Sequence, residues 1–492
     1  MDGNPVHGCR RCGFALSGWR LDERRVKPIP CTDGVASVGR RAFLRSLAGR
    51  SLVLPGLLGE LLAGGVGASD PLAAAVPGHR ARAQRVIFIF SNGGASHMDT
   101  FDYKPALYRA DGKMTGIGGG LSNQQRVLLR PGWEFRPGGE CGTMVSDLFP
   151  HLRECMDDIC VIRSMRGNDN EHYNATLGIH TGSFFFARPG IGSWVSYGLG
   201  TMNRNLPSFV VLAAAMPYAG TQIFSNDFLP AYHQGVRVVP GKEPIANLDR
   251  RSAESGLQEL ENGLTEAFNR RHLEARGHED QLAARIRSFE TAYQMQSGAR
   301  EVFAVEQESD ETLGLYGMQR GQTDGFGWQC LVARRMVERG VRFVEIVDGS
   351  SSQNWDQHGD MAEHARHAKN IDQPVAGLLR DLKRRGMLDD TLVVWTTEFG
   401  RTPGVDGAKG RGHHSACFSS WLAGGGVRGG MTYGETDELG AAVARDEVHV
   451  HDFHATILHL LGIDHERLTF RHGGRDYRLT DVHGHVVQAI VA

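Results

Sequence analysis

Three groups of side chains between residues 354 and 415 have the types needed to hold a divalent cation. Asn354-Trp355-Asp356-Gln357-His358 offers a carboxylate and an imidazole two positions apart, a spacing at which one loop can bring both to a single ion. Thr396-Thr397-Glu398-Phe399-Gly400-Arg401 offers Glu398 as a hard oxygen ligand or general base. It also offers Arg401, whose guanidinium can grip an anionic group through two parallel hydrogen bonds. Gly410-Arg411-Gly412-His413-His414-Ser415 places two imidazoles side by side in a glycine-rich loop. Adjacent side chains point in different directions, so one of His413 and His414 ligates a given ion while the other holds substrate or a neighbour. Taken singly, each group also reads as an ordinary turn or surface ion pair. Their order along the chain is the stronger signal.

Two further polar clusters, and a run of histidines, lie outside this series. Asn168-Asp169-Asn170-Glu171-His172-Tyr173-Asn174 runs into a helix whose N-terminus favours anions, so His172 and Asn174 can face a substrate oxyanion. Ser96-His97-Met98-Asp99 follows the first apolar run, and His97 and Asp99 are either ligands or turn caps. His449-Val450-His451-Asp452-Phe453-His454 reads more easily as the start of a core helix, with Asp452 as its cap, than as a ligand set.

The elements that must position these groups alternate between strand and helix. Arg85–Phe90, Asp158–Arg163, Phe209–Leu212, Val341–Val347 and Thr391–Thr397 are short apolar runs that read as buried strands. Residues 250–305 read as long amphipathic helices, a helical insertion, and the wider stretch 225–330 as a lid or an inserted helical subdomain. Ile371–Arg385, with Pro374 near its start, and His451–Leu461, ended by Gly462, read as helices. Strands separated by helices predict an α/β fold with a mostly parallel central sheet sandwiched by helices. In such sheets the functional loops follow the carboxyl ends of strands, where these polar clusters stand.

Composition narrows the function classes. With 41% hydrophobic and 22% charged residues the chain can bury a large core. A net charge of −2 argues against a dedicated nucleic-acid binder. Gly39-Arg40-Arg41-Ala42-Phe43-Leu44-Arg45 followed by an apolar stretch, Leu52 to Ala68, resembles a twin-arginine export signal. Residues 1–83 therefore read as an export leader, cleaved between residues 68 and 84, and residues 84–492 as the α/β domain. The expected location is the periplasm or the exterior. Pro55, Glu60 and several glycines break the apolar stretch, so no stable transmembrane anchor is expected.

Several longer motifs carry a resemblance. Gly93-Gly94-Ala95-Ser96-His97-Met98-Asp99-Thr100-Phe101-Asp102, Gly192-Ser193-Trp194-Val195-Ser196-Tyr197-Gly198-Leu199-Gly200, Thr397-Glu398-Phe399-Gly400-Arg401-Thr402-Pro403, Trp421-Leu422-Ala423-Gly424-Gly425-Gly426-Val427 and Thr480-Asp481-Val482-His483-Gly484 look like the exported domain-of-unknown-function 1501 family. That family resembles the alkaline phosphatase and sulfatase superfamily, which implies an alkaline-phosphatase-like fold. The series Asp356/His358, Glu398, His413/His414 is similar to the superfamily's metal-ligand order. Two departures stand out. Glu398-Phe399-Gly400 replaces Asp-His-Gly, and counting back from Thr181-Gly182 puts His172 where sulfatases carry their nucleophile.

The resemblance and the residues together imply an exported metal-dependent hydrolase of phosphate or sulfate esters. Asp356, His358 and one of His413 and His414 would bind zinc, calcium, magnesium or manganese, at one or two sites. Glu398 would be fourth ligand or base, Arg401 and His172 would hold the anionic group, and water would attack directly. The partner would be an anionic small molecule or glycan. The alternatives are a non-catalytic binding protein for sulfated or phosphorylated glycans on the same scaffold, and a purely structural envelope protein.

Overall fold

The computed structural model describes residues 72–492 apart from 118–123, 247, 249–254 and 277–279. The twin-arginine-like stretch and most of the expected leader lie outside the described residues. Residues 72–83 pack against the rest of the described chain. Thr201 N donates to the Leu72 carbonyl at 2.8 Å, and Arg82 N and Ala83 N both donate to the Leu460 carbonyl at 2.8 Å.

The central sheet is built from β1 (Arg85–Ser91), β2 (Ile159–Arg166), β3 (Phe209–Ala213), β4 (Val236–Val238), β5 (Phe343–Asp348), β6 (Thr391–Thr396), β7 (Phe418–Ala423), β8 (Met431–Tyr433) and β9 (Val448–His449). Its order is β8-β2-β7-β6-β1-β5-β3-β4, with β9 also pairing β2. Every pairing is parallel except the two made by β7, which runs antiparallel between β6 and β2. The expected fold class, a mostly parallel central sheet between helices, is therefore the observed one.

Alternation along β1 explains the layers. Ile87 and Ile89 join Val344, Ile346, Val393 and Trp395 in one core. Val86, Phe88 and Phe90 join Phe343, Leu392 and Val394 in the other. A strand apolar on both faces is what a sheet covered on both sides requires. Helices α1 (His172–Thr181), α2 (Ile191–Leu199) and α7 (Val450–Leu460) lie over the second core. Helices α5 (Gly325–Glu338) and α6 (His364–Arg384) lie over the first. The expected helical insertion is α3 (Ser255–Ala275) and α4 (Asp280–Phe303). Only α4 sends residues into the core, through Met295, Ala299 and Val302.

Four details differ from the sequence reading. Helix α6 begins at His364, so Pro374 sits inside it rather than near its start. Its first two turns carry the charged and polar residues Arg366, Lys369 and Asn370, which blur the helical apolar period there. The α7 cap is His449, and Asp452 completes a capping box three residues on by accepting from His449 N at 2.9 Å. His413 and His414 lie on a strand, not in a loop. Gly400–Asp406 and Gly410–His414 form an antiparallel hairpin, turned at Gly407 with φ +62°. Finally, β4, β7, β8 and β9 have no counterpart among the five strands expected from the sequence.

Candidate metal centre

The polar clusters gather at the carboxyl end of the parallel strands. β1 leads into Gly93-Gly94, β2 into Asn170 and His172, β5 into Asp356 and His358, and β6 into Glu398. The Gly93-Gly94 turn lets these loops approach. Both residues have positive φ, +109° and +71°. A Cβ on Gly93 would stand 2.6 Å from Trp355 N and 2.7 Å from Asp356 N. One on Gly94 would stand 2.5 Å from the Phe399 ring. Only glycine allows that contact.

Three imidazoles surround the Asp356 carboxylate. His358 Nε2 lies 2.9 Å from Oδ1, His413 Nε2 3.1 Å from Oδ1, and His172 Nε2 3.3 Å from Oδ2. The ligand atoms of His172, Asp356 and His413 all lie within 4.8 Å of one another. His358 Nε2 lies 2.8 Å from His413 Nε2.

Each ring is held from behind by an acceptor on its Nδ1. Glu398 Oε1 is 2.7 Å from His172 Nδ1, Asp406 Oδ2 is 2.6 Å from His358 Nδ1, and the Asn170 carbonyl is 2.7 Å from His413 Nδ1. A carboxylate or carbonyl oxygen can only accept, so each Nδ1 carries the proton. In the neutral rings all three Nε2 lone pairs then converge on Asp356. Outer acceptors that fix the tautomer of metal-ligating histidines are the usual second layer of a metal site.

The donor set fits a divalent cation. His172 is buried, and its Nε2 has no hydrogen-bond partner among the described residues. The Nε2 atoms of His358 and His413 face each other lone pair to lone pair, an arrangement that a shared cation relieves. Bonds of about 2.0–2.2 Å to one ion set tetrahedral ligand atoms roughly 3.3–3.6 Å apart, between the 2.8 Å that separates the His358 and His413 nitrogens and the 4.8 Å that bounds His172, Asp356 and His413. Burial works against charge on Asp356, but His172, His413 and Arg401 outweigh it and hold the carboxyl far below its usual range. Burial likewise disfavours the His172 cation, yet the Asp356 and Glu398 carboxylates beside the ring raise its pKa.

The remaining sequence candidates fall into other places. Glu398 is buried and fully engaged. Oε1 accepts from His172 and from Gly93 N at 2.8 Å, and Oε2 accepts from Thr397 Oγ1 at 3.0 Å. It orients His172 rather than adding a fourth ligand. Arg401 does not grip an exogenous anion. It is fully buried, and all three of its nitrogens donate to protein acceptors: Nε to the Gly94 carbonyl at 2.7 Å, Nη1 to the Arg411 carbonyl at 3.1 Å and Nη2 to Asp356 Oδ1 at 2.6 Å. His414 is turned away by strand alternation, and its Nε2 donates to the Ala441 carbonyl at 2.7 Å. His97 bonds the Gly440 carbonyl, and Asp99 pairs with the buried Arg411 at 2.8 Å. His451 and His454 donate to the Gly182 and Ile179 carbonyls, as core histidines do.

The sequence model of one family, described as protein of unknown function (DUF1501), matches residues 83–491. The chain belongs to that family. No curated protein matches it. Among solved structures, the DUF1501 chain is similar to the lipoteichoic acid synthase LtaP from Listeria monocytogenes (8% identity, TM-score 0.35, 84% of this chain and 79% of that one). It is also similar to the PsFucS1 sulfatase from Pseudoalteromonas sp. (11%, 0.33, 78% and 69%). A third is the alkaline phosphatase from the Antarctic bacterium TAB5 (10%, 0.30, 70% and 92%). Scores this low leave activity and ligand to be read from the site itself.

Two residues of the DUF1501 site escaped the sequence reading. Asp406 ends the first hairpin strand and anchors His358; the Asp406-Gly407 pair is a hairpin signal that marks it. Tyr218 stacks on His172 with ring centroids 4.1 Å apart. No local motif announces it, because residues 214–219 are an irregular connection after β3.

Proposed function

We propose that this DUF1501 protein is an exported, metal-dependent hydrolase of phosphate or sulfate esters. His172, Asp356, His358 and His413 would hold the cation. The observation that carries the reading is the convergence of three Nε2 atoms, each fixed by an acceptor on Nδ1, around one carboxylate. Three imidazoles to one carboxylate favour zinc over calcium, magnesium or manganese, which are better suited by oxygen-rich shells. A divalent cation there supplies Lewis acidity toward a phosphoryl or sulfuryl oxygen. The chain's own residues hold the geometry. Glu398 fixes His172, Asp406 fixes His358, and Arg401 neutralises and anchors Asp356. The His358 side chain is 42% exposed, which leaves that edge of the site open to a ligand. The leader motif supports export, by its resemblance to twin-arginine signals. The test is turnover of nitrophenyl phosphate and nitrophenyl sulfate by the metal-loaded chain and by Asp356→Ala. Activity in the first and its loss in the second support the proposal; an inert metal-loaded chain contradicts it.

One observation favours a second reading, a non-catalytic binder of sulfated or phosphorylated glycans. The position that the sulfatase resemblance gives to a nucleophile carries His172, whose Nδ1 is tied to Glu398. Glycan binding by a metal-loaded chain that turns over neither ester would select it.

A further inference from the structure

A second concavity lies at the far end of α1. His172 begins this helix at the metal centre, and ten helical residues span about 15 Å. Thr181 and Gly182 at its other end line a cavity of about 280 Å³, walled by residues 183–189 and 475–483. That is close to the small end of ligand pockets, the size for one ring rather than a chain.

The wall is cationic and aromatic together. Arg188, Arg475 and Arg478 line it with a single carboxylate, Asp481. Asp481 is already committed: Arg475 pairs with its side chain and Arg478 Nε donates to its carbonyl. Its φ of +47° is one of three left-handed non-glycine values among the described residues. Arg188 makes no ion pair among the described residues; its guanidinium lies 4.3 Å from the centre of the Tyr477 ring, and Arg475 lies 4.9 Å from the same ring. Phe185 and Phe186 line the cavity while 69% and 67% exposed. Buried His451 at the cavity's edge donates Nε2–H to the Gly182 carbonyl at 2.8 Å, which fixes the end of α1 against this wall.

We infer that this cavity binds the sulfate- or phosphate-bearing unit of an anionic carbohydrate. The inference rests on the ester-hydrolase reading and names its substrate class as sugar-borne esters. Guanidinium forks match sulfate and phosphate oxygens. Aromatic faces cover the C–H face of a sugar ring. A membrane surface fits less well, because the aromatic residues border a concavity instead of projecting from a convex apolar edge.

Titration calorimetry on the folded, metal-loaded chain tests this, with sulfated dextran oligomers as probe. Neutral dextran, inorganic sulfate and anionic phosphatidylglycerol vesicles are the comparisons. Sulfated dextran is expected to bind, neutral dextran not to bind, and inorganic sulfate to bind at least tenfold more weakly than the oligomer. Arg188→Ala and Arg475→Ala, each checked for an unchanged melting transition, are expected to weaken the oligomer at least tenfold. Unchanged affinity in both variants, equal binding of neutral dextran, or binding to vesicles without binding to sulfated dextran would overturn the inference. Repeating the titration on metal-stripped protein separates the two claims. Arginine-dependent binding with no metal uptake and no turnover keeps the pocket and removes the hydrolase. Metal uptake and turnover with arginine-independent binding do the reverse.

Discussion

Glu398 Oε1 stands 2.7 Å from His172 Nδ1, and both groups are buried. That single contact turns a helix-start histidine into a fixed donor toward Asp356. It also places the glutamate that follows the fifth predicted strand behind a candidate ligand, in a positioning role.

Glu398→Gln should therefore weaken metal binding without unfolding the chain. Losing a carboxylate behind a ligating histidine commonly costs 10–100-fold in metal affinity. Competition with a chromogenic chelator measures it. An unchanged affinity would show that Glu398 does not orient His172.

Arg401→Met should act on stability first. It removes a guanidinium that bonds the 93–94 turn and the 411 carbonyl, and it leaves Asp356 without its buried counter-charge. Breaking such a pair costs about 3–5 kcal/mol. Urea unfolding of the metal-free chain reads this directly. A loss below about 1 kcal/mol, with a raised KM for an anionic substrate, would instead return Arg401 to the role of anion holder.

Gly410→Ala should disturb the cation site from a distance. An added Cβ would collide with the carbonyl of His358, at the point where Arg411 N bonds Gln357. Overpacking of this kind costs about 1–3 kcal/mol. The expected result is a lower melting temperature together with weaker metal binding. Weaker stability with full metal affinity would show that the His358 loop is not braced by the hairpin.

Acid should destabilise the fold well above the carboxylate range. Burial pushes His97, His364 and His454 down to about 3, and His233, His367 and His449 down to about 4. The ordinary value is about 6.5. Unfolded chains bind these protons first, so the stability from neutral burial is complete above pH 6.5 and is lost as pH falls toward 4. Each fully buried ring contributes up to about 1.4 kcal/mol per pH unit across that window. Asp348, which burial pushes up to about 6, works in the opposite sense, as do Asp102, Asp227, Asp372 and His172, whose pKa values are also raised, but the six lowered rings outnumber them. Melting temperatures should fall continuously from pH 7 to pH 5. A flat or rising profile would contradict the neutral assignment.

Five strands, β1, β2, β3, β5 and β6, were legible because each carries an apolar run, and sheets covered on both faces demand that pattern, whereas the short parallel strands β4, β8 and β9 carry too few apolar residues to stand out. The antiparallel strand Phe418–Ala423 was not legible either, since its neighbours and its direction are set by tertiary pairing with β2 and β6. The site shows the same division. Asp356, His358 and His413 could be picked out by residue type and order. The exchange of roles between His172 and Glu398 could not, because it depends on which Nδ1 meets which oxygen across 226 positions of chain. Arg401 misled for a related reason. Its sequence neighbourhood resembles a solvent-facing loop, while the Gly93-Gly94 turn closes over it.

The most direct measurement is the anomalous diffraction map at the zinc and manganese edges from crystals of the metal-loaded chain, paired with metal content by mass spectrometry. The account predicts about one ion per chain, with its peak bonded to His172 Nε2, His413 Nε2, His358 Nε2 and an Asp356 oxygen, and no peak in Asp356→Ala. A loaded chain that holds no metal, or a peak lying away from those four side chains, would contradict it.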